Sequence, residues 1–556
     1  MTGTPTHTVD KEGAAGGSAA TFSLLTEPWI PVRGATGEVD EVNLFEVFEQ
    51  ADTVVGLAGE IPTQEAAILR LLESVLLRVV DPKDDPIGTW ARLWQEGLPL
   101  GEIRAYLERH ADRFDLLHPQ LPFFQVAGLH TASGKTSGLG KIIAELPDGN
   151  QFFTTRAAAE DTQLSYAEAA RWLVHVQAFD YSGIKSGAVG DDRVKGGKGY
   201  PIGTGFAGTL GLLIAEGRTL RETLLLNLVL RFWRKDDRVP WEHPHTGPQV
   251  DLGHGQPHGP ADCATWQSRR VLLLHGGQGV HDVVLANGDP LGPQNRRAVE
   301  PSTSWRYSEP QTKKFGHTVY MPLEHQASRS VWRGLGATLG ERSTPAASKA
   351  GVPAFEAAGL LQWLAALRED EVLEPGYPLV LRIVGMEYGP QSSSVAAVID
   401  DRLSMPVTVI SDPHMRAVAT EAVDVADEAV RALGRLAANL ADAGGRHLLP
   451  GMEDGARARV SETAWSLLDS PFRRWVADLR TRDDAPAMRS TWQAQVRRIV
   501  TRAAADLVQA TGSPALTGRV VNGRYLNSPI AENYFSAALR KALPYAYPES
   551  TTKEQA

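Results

Sequence analysis

Four stretches of this chain hold residue types that could do chemistry. The densest is "WEHPHTGPQVDLGHGQPHGP", which gathers His243, His245, His254 and His258 around Asp251. Imidazoles with a carboxylate suit zinc or copper, and such a tract could serve a metal-dependent hydrolase. The intervals are filled with Gly and Pro, however, so the stretch reads as a solvated loop. "GTGFAG" (Gly203 to Gly208) matches a dinucleotide fingerprint letter for letter. That fingerprint must open a helix after a strand, whereas "TLGLLIAEG" reads as a strand closing on a turn. "GIKSG" (Gly183 to Gly187) lacks the first glycine of a phosphate loop, and His281-Asp282 sits alone in the strand-like "GVHDVVL". No nucleophile stands at diagnostic spacing from a base, and Cys263 has no signature around it. The residues offer no active site, so the chain reads as a non-enzyme that needs no cofactor.

Two other stretches suit binding. In "DDRVKGGKGYPIG" (Asp191 to Gly203), Gly196, Gly197 and Gly199 leave backbone amides bare while Lys195 and Lys198 supply positive charge. That combination fits close approach to a phosphate backbone or a groove floor, or else a mobile surface loop. In "EYGPQSSSVA", Gln391 follows Gly389 and Pro390 between two β-branched runs, "YPLVLRIVGM" and "VAAVID". The pattern is strand, tight turn, strand, with the turn assigned to Gly389 and Pro390. It puts a glutamine at an exposed tip, where it adds nothing to a core.

The elements that must hold these stretches are legible in outline. "TQEAAILRLLESVLLRVV" repeats Ala67, Leu71, Leu72, Val75 and Val79 at helical spacing, and a second helix is predicted over Thr219 to Trp233. The middle of the chain, rich in Gly and Pro, reads as mixed α and β. At Asp412 the composition changes: Asp412 caps a helix with Pro413 at its first position, running to Gly444 and Gly445. Helices over 453–482, bent at Pro471, over 486–510, and over 529–543, capped by Ser528, complete a bundle. The fold class is α+β, with a large mixed α/β N-terminal domain over 22–405 and a C-terminal four-helix bundle over 406–548. Residues 1–21 read as a disordered leader and 549–556 as a tail.

At 556 residues the chain exceeds one domain, and its single cysteine excludes an internal disulfide. No apolar run suggests a membrane span and no secretory signal opens the chain, so a cytoplasmic setting is expected. A net charge of −10 argues against a stand-alone nucleic-acid binder. Charge is uneven, though: between Pro293 and Lys349 nine Lys/Arg face four Glu, as in a subunit touching phosphate on one face.

The order of "FSLLTEPWIPV" (Phe22 to Val32), the glycine loop, "LRETLLLNLVL", "GDPLG" (Gly288 to Gly292), the Gln391 hairpin and the bundle resembles the CasA-type large subunit of the type I-E CRISPR Cascade surveillance complex. The resemblance implies a non-catalytic subunit that reads the protospacer-adjacent motif (PAM) of double-stranded DNA from the minor groove. It further implies that the chain opens the duplex to start R-loop formation and helps recruit a helicase-nuclease. By counting from neighbouring motifs, it assigns Gly196, Gly197, Lys198 and Gly199 to the motif-reading loop. Arg296 or Arg297 becomes a basic finger, and Gln391 a strand-separating wedge. Phe152 and Phe153, in "GNQFFTTRAAAEDTQ", become the loop that anchors the subunit near the guide RNA. The implied partners are the other Cascade subunits, the guide RNA and target DNA. On the bundle, Arg473, Arg474, Arg497 and Arg498 are candidate contacts for neighbouring subunits and the displaced strand. Rival readings are a metal-dependent hydrolase on the histidine tract and a purely structural scaffold.

Overall fold

The computed structural model describes residues 20–146, 163–253, 256–277, 279–445 and 452–547. Strand β1 (Ile30–Arg33) pairs antiparallel with β2 (Val39–Val42) and β3 (Gly56–Leu57). Helix α1 (Pro62–Val79) follows; its residues from Ala66 to Leu77 are all buried, as a helix apolar on nearly every side demands. It packs on α2 (Tyr166–Phe179), which opens with a capping box formed by Ser165 and Glu168. Arg70 lies inside α1's shell and is held by a bidentate pair with the buried Glu300, at 3.1 and 2.8 Å.

Beyond α2 the chain makes a short hairpin of β4 (Lys185–Ser186) and β5 (Lys198–Gly199). It then enters β6 (Leu212–Glu216) directly, the strand expected after "GTGFAG". A Cβ on Gly205 would stand 2.5 Å from the Ala178 backbone, so this glycine serves close packing on α2. Helix α3 (Leu220–Asn227), capped by Thr219, ends six residues before the expected Trp233. The reason is Asn227, whose side chain turns to bond both the N–H and the carbonyl of Ala215 in β6, at 3.0 and 2.8 Å.

A long hairpin of β7 (Arg269–Gly276) and β8 (Gly279–Asn287) comes next. Strands β9 (Trp305–Tyr307), β10 (Tyr320–Pro322) and β11 (Phe355–Glu356) form a small sheet. Strands β12 (Pro378–Tyr388) and β13 (Val395–Pro406) make the longest hairpin, and β6 pairs with β12 to give the order β13-β12-β6.

The C-terminal bundle consists of α4 (Pro413–Ala443), α5 (Met452–Ala477), α6 (Ala485–Gln509) and α7 (Ser528–Ala542). Asp412 caps α4 as predicted, accepting from His414 N at 2.8 Å, and Pro471 lies inside α5. The cap of α7 is Asn527 rather than Ser528: its side chain accepts from Ile530 N at 3.0 Å, and Ser528 is the first helical residue. Between α6 and α7 stands a hairpin absent from the sequence reading, β14 (Arg519–Val521) with β15 (Arg524–Leu526). The bundle is not loosely attached. Trp332 stacks on Phe472 of α5 with ring centroids 4.3 Å apart, and one apolar cluster runs from Leu24 to Ala546.

Candidate nucleic-acid interface

Two exposed tips lie beyond elements that meet the C-terminal end of α2, each held there by its own contacts. There Asp180 is buried between two cations, Lys185 of β4, 2.7 Å away, and Arg269 of β7. Arg269 also donates to the carbonyls of Tyr181 and Gly203, at 3.2 and 2.9 Å. Burial pulls Lys185 down to about 8 against the opposing pull of Asp180. Burial pushes Asp180 up, but Lys185 and Arg269 outweigh it and hold the carboxyl below its usual range. Removing Asp180 would strand two buried charges, which is why this triad fixes the backbone around it.

From this anchor β4 and β5 carry the glycine loop outward. Lys195 and Lys198 bond each other's backbones at 3.1 and 3.2 Å, and Gly196 and Gly197 between them have φ of 58° and 72°. Positive φ at both central residues is the geometry of a type I′ hairpin turn. Lys195, Gly196, Gly197 and Lys198 are all exposed, and nothing lies within 4 Å of where a Cβ would stand on either turn glycine. Gly199, which the sequence reading grouped with them, points inward and is buried. A Cβ there would lie 3.1 Å from Asn287 Nδ2 and 3.3 Å from the Ser186 carbonyl. Its role is therefore hairpin packing.

The second tip is on β12–β13. The Tyr388 hydroxyl donates to the Phe179 carbonyl at 2.7 Å, one residue before Asp180. Val395, at the start of β13, is buried and shares a small cavity with Ile142, His175, Phe179 and Tyr181. Gly389 is extended, with φ −67° and ψ −172°, so it does not make the turn as the sequence suggested. The positive φ falls instead on Gln391 (57°) and Ser392 (53°), and Ser393 N bonds the Pro390 carbonyl at 3.2 Å. Gln391 thus occupies the first central position of a second I′-like turn, exposed, in a backbone region that glycine or asparagine normally takes.

Of the two candidates for the basic finger, one is turned inward and one faces solvent. Arg296 is buried; its guanidinium donates to the Phe206 carbonyl at 3.2 Å, and Glu300 is nearby. Arg297 is partly exposed, paired with Glu356 and lying 4.4 Å over the Tyr320 ring. Only Arg297 of the two is placed to meet a ligand from solvent. Phe152 and Phe153 lie outside the described residues.

The histidine tract is dispersed among local contacts. His245 Nε2 accepts from Ala127 N at 3.2 Å, His258 Nδ1 lies 2.9 Å from Asp262, and burial lowers His243. Asp251 accepts from Gly253 N at 2.8 Å, and His254 is outside the described residues. Among the described residues no three His, Cys, Asp or Glu side chains converge as metal ligands, and no helix is long and apolar enough to cross a membrane. On the bundle, Arg473 is an internal strut: it pairs with Asp469 at 2.8 Å and reaches Asp401 of β13 at 3.0 Å. Arg474, Arg497 and Arg498 are all exposed, and Arg497 donates to the Ala546 carbonyl at 2.9 Å.

Known proteins share this architecture. The family profile described as CRISPR-associated protein Cse1 matches residues 23–503. A CRISPR-associated protein CasA/Cse1 of Thermus thermophilus is 30% identical over 487 residues, covering 83% of this chain and 88% of that protein. The crystal structure of Thermobifida fusca Cse1 superposes with a TM-score of 0.87 at 42% identity, covering 95% of this chain and 99% of the other. The crystal structure of Thermus thermophilus CasA does so at 0.72 and 25%, covering 94% and 100%. A chain of a CRISPR RNA-guided surveillance complex shares the fold at 0.65 and 20% identity, covering 88% of this chain and 99% of that one. The chain belongs to the CRISPR-associated Cse1 (CasA) family.

Proposed function

We propose that this chain is the non-catalytic subunit that reads the PAM of duplex DNA in a type I-E Cascade complex and starts strand opening. In this reading the bare amides of Gly196 and Gly197, flanked by Lys195 and Lys198, meet the minor groove, which mainly separates A·T from G·C and so admits several related motifs. Gln391 inserts beyond the motif and takes the place of a displaced base. Unstacking costs a few kcal/mol per step, which motif contacts offset, and pairing with the guide is then nearly balanced, as in other RNA-guided systems. Arg297 serves as the basic finger that enters the groove. Phe152 and Phe153 dock the subunit near the guide, and the assembled complex recruits a helicase-nuclease in the cytoplasm.

The observation that carries the reading is Gln391 itself: an exposed glutamine held at φ 57° on the tip of the longest hairpin. A non-glycine residue held at positive φ lowers stability, and such backbone outliers gather at functional sites. The test is reconstitution of the complex with and without this chain, followed by binding to duplexes bearing correct and scrambled motifs. Loss of motif discrimination without the chain is the expected outcome. Equal discrimination in its absence would reject the reading.

A further inference from the structure

We propose that the outward face of the β4–β5 hairpin, formed by Ile184, Lys198 and Tyr200, is a second DNA contact surface, on which Tyr200 and Ile184 pack against the deoxyribose wall of the minor groove. The proposal rests on the reading that the glycine turn enters that groove. Strand alternation defines the face. Lys185 pairs with Gly199 and Ser186 with Lys198, and the first pair is turned inward, with both residues buried. Side chains alternate along a strand, so Lys198 and the next pair along, Ile184 and Tyr200, share the opposite side. Ile184 is 54% exposed and Tyr200 49%.

About half of each side chain faces solvent, and each flanks the Lys185–Gly199 pair on an element whose backbone is fixed. The Tyr200 carbonyl accepts from Asn287 Nδ2 at 2.8 Å, and Lys185 beneath is locked to Asp180. A tyrosine and an isoleucine held half-exposed on a fixed hairpin offer apolar area to a partner at little ordering cost. Its surroundings identify the partner as a polyanion with apolar edges: exposed Lys195 and Lys198 stand above it, with Arg193 half-buried on the same loop.

Reach supports the groove wall rather than its floor. Tyr200 lies three residue steps from Gly197, about 10 Å of strand, against a minor-groove depth of about 7.5 Å. When the glycine turn touches the floor, Tyr200 stands at the rim, where sugar and phosphate lie. A tyrosine ring gives apolar area to the sugar, and its hydroxyl remains wet or meets a phosphate.

The test uses the reconstituted complex with Tyr200→Ala, Tyr200→Phe, Ile184→Ser and Lys198→Ala, with Gly197→Asp as the control for the underlying reading. Tyr200→Ala should weaken duplex binding about tenfold, equally on correct and scrambled motifs, because sugar contacts carry no sequence information. Tyr200→Phe should keep most of the affinity, and Ile184→Ser should show a smaller loss of the same kind. Tyr200→Ala should leave the salt slope unchanged, while Lys198→Ala lowers it by about one. Unchanged affinity for Tyr200→Ala, with Gly197→Asp still defective, overturns the proposal and leaves the glycine-turn reading intact. If Gly197→Asp is also silent, the underlying reading falls with it. If Tyr200→Ala impairs assembly of the complex before DNA is added, the face belongs to a neighbouring subunit and the proposal is wrong.

Discussion

The glycine tip and the glutamine tip are the same turn made from opposite materials. Both put two consecutive residues at positive φ, Gly196-Gly197 in one and Gln391-Ser392 in the other. Glycine takes that conformation without steric cost, and a glutamine or serine does not. The glycine tip accepts a loss of side chains to expose its backbone, while the glutamine tip accepts strain to present a side chain. Their supports differ in the same sense. The glycine hairpin has two-residue strands and depends on the buried charges of Asp180, Lys185 and Arg269. The glutamine hairpin has strands of 11 and 12 residues, paired to β6 and packed on an apolar floor. The short hairpin is pinned by buried charge at its base, whereas the long one is held by its sheet, with the Arg382 pairs to Glu65 and Asp400 added to the ladder.

If that contrast is right, the largest effect belongs to the charge anchor. Asp180→Ala should cost about 3–5 kcal/mol, because it leaves Lys185 and Arg269 buried without their carboxylate. Hydrogen exchange should show protection lost first over 183–200 and retained over 378–406. Loss in both hairpins together would break the distinction.

The pH response comes next in size. Burial lowers His175 from 6.5 to about 3 and Lys185 from 10.5 to about 8. Both are bases with depressed values, so the unfolded chain binds the proton first and stability rises with pH across each window. His175, under the glutamine hairpin, costs stability as pH falls from 6.5 toward 3. The penalty on charged Lys185 is relieved as pH rises from 8 toward 10.5. Thermal melts should show the acid slope flattened by His175→Gln and the alkaline rise removed by Lys185→Met. Unchanged slopes would show that burial does not hold His175 and Lys185 below their ordinary values.

Tyr388→Phe should cost about 1–2 kcal/mol, since it leaves the buried Phe179 carbonyl without its donor. It should slow strand opening while motif binding is retained. A matching loss of motif binding would mean that the two tips move as one body. Smallest is Gln391→Gly, expected to stabilise the fold by up to about 1 kcal/mol by relieving the positive φ, while abolishing opening. A destabilised variant would show that the tip is not strained.

Much of this was legible in the chain. Asp412 with Pro413, the Gly444 stop and the two β-branched runs around Gln391 each carry a local rule, and each element formed where that rule placed it. What failed depended on distant partners. Arg296 reads as surface charge beside Arg297, but Phe206 and Glu300 take it inside. Asp180, Lys185 and Arg269 have no diagnostic spacing, since 89 residues separate the ends of the triad's tightest pair. Asn522-Gly523, at φ 48° and 77°, was a readable hairpin signal for β14–β15 that the helical pattern on either side obscured. Residue type points to Gly389 and Pro390 for the turn at Gln391, and only the backbone shows that the costly positions are the next two.

In the proposed division of labour one tip contacts the motif and the other opens the strands. Its most direct test is binding of reconstituted complexes carrying Gln391→Ala or Gly197→Asp to a duplex target and to the same target with a pre-opened bubble beyond an intact motif. Alanine keeps the turn strain of glutamine, and aspartate tolerates positive φ at an open position, so both hairpins stay folded. Gln391→Ala should be defective on the duplex and restored on the bubble, while Gly197→Asp should stay weak on both. Equal defects of Gln391→Ala on duplex and bubble would contradict the account.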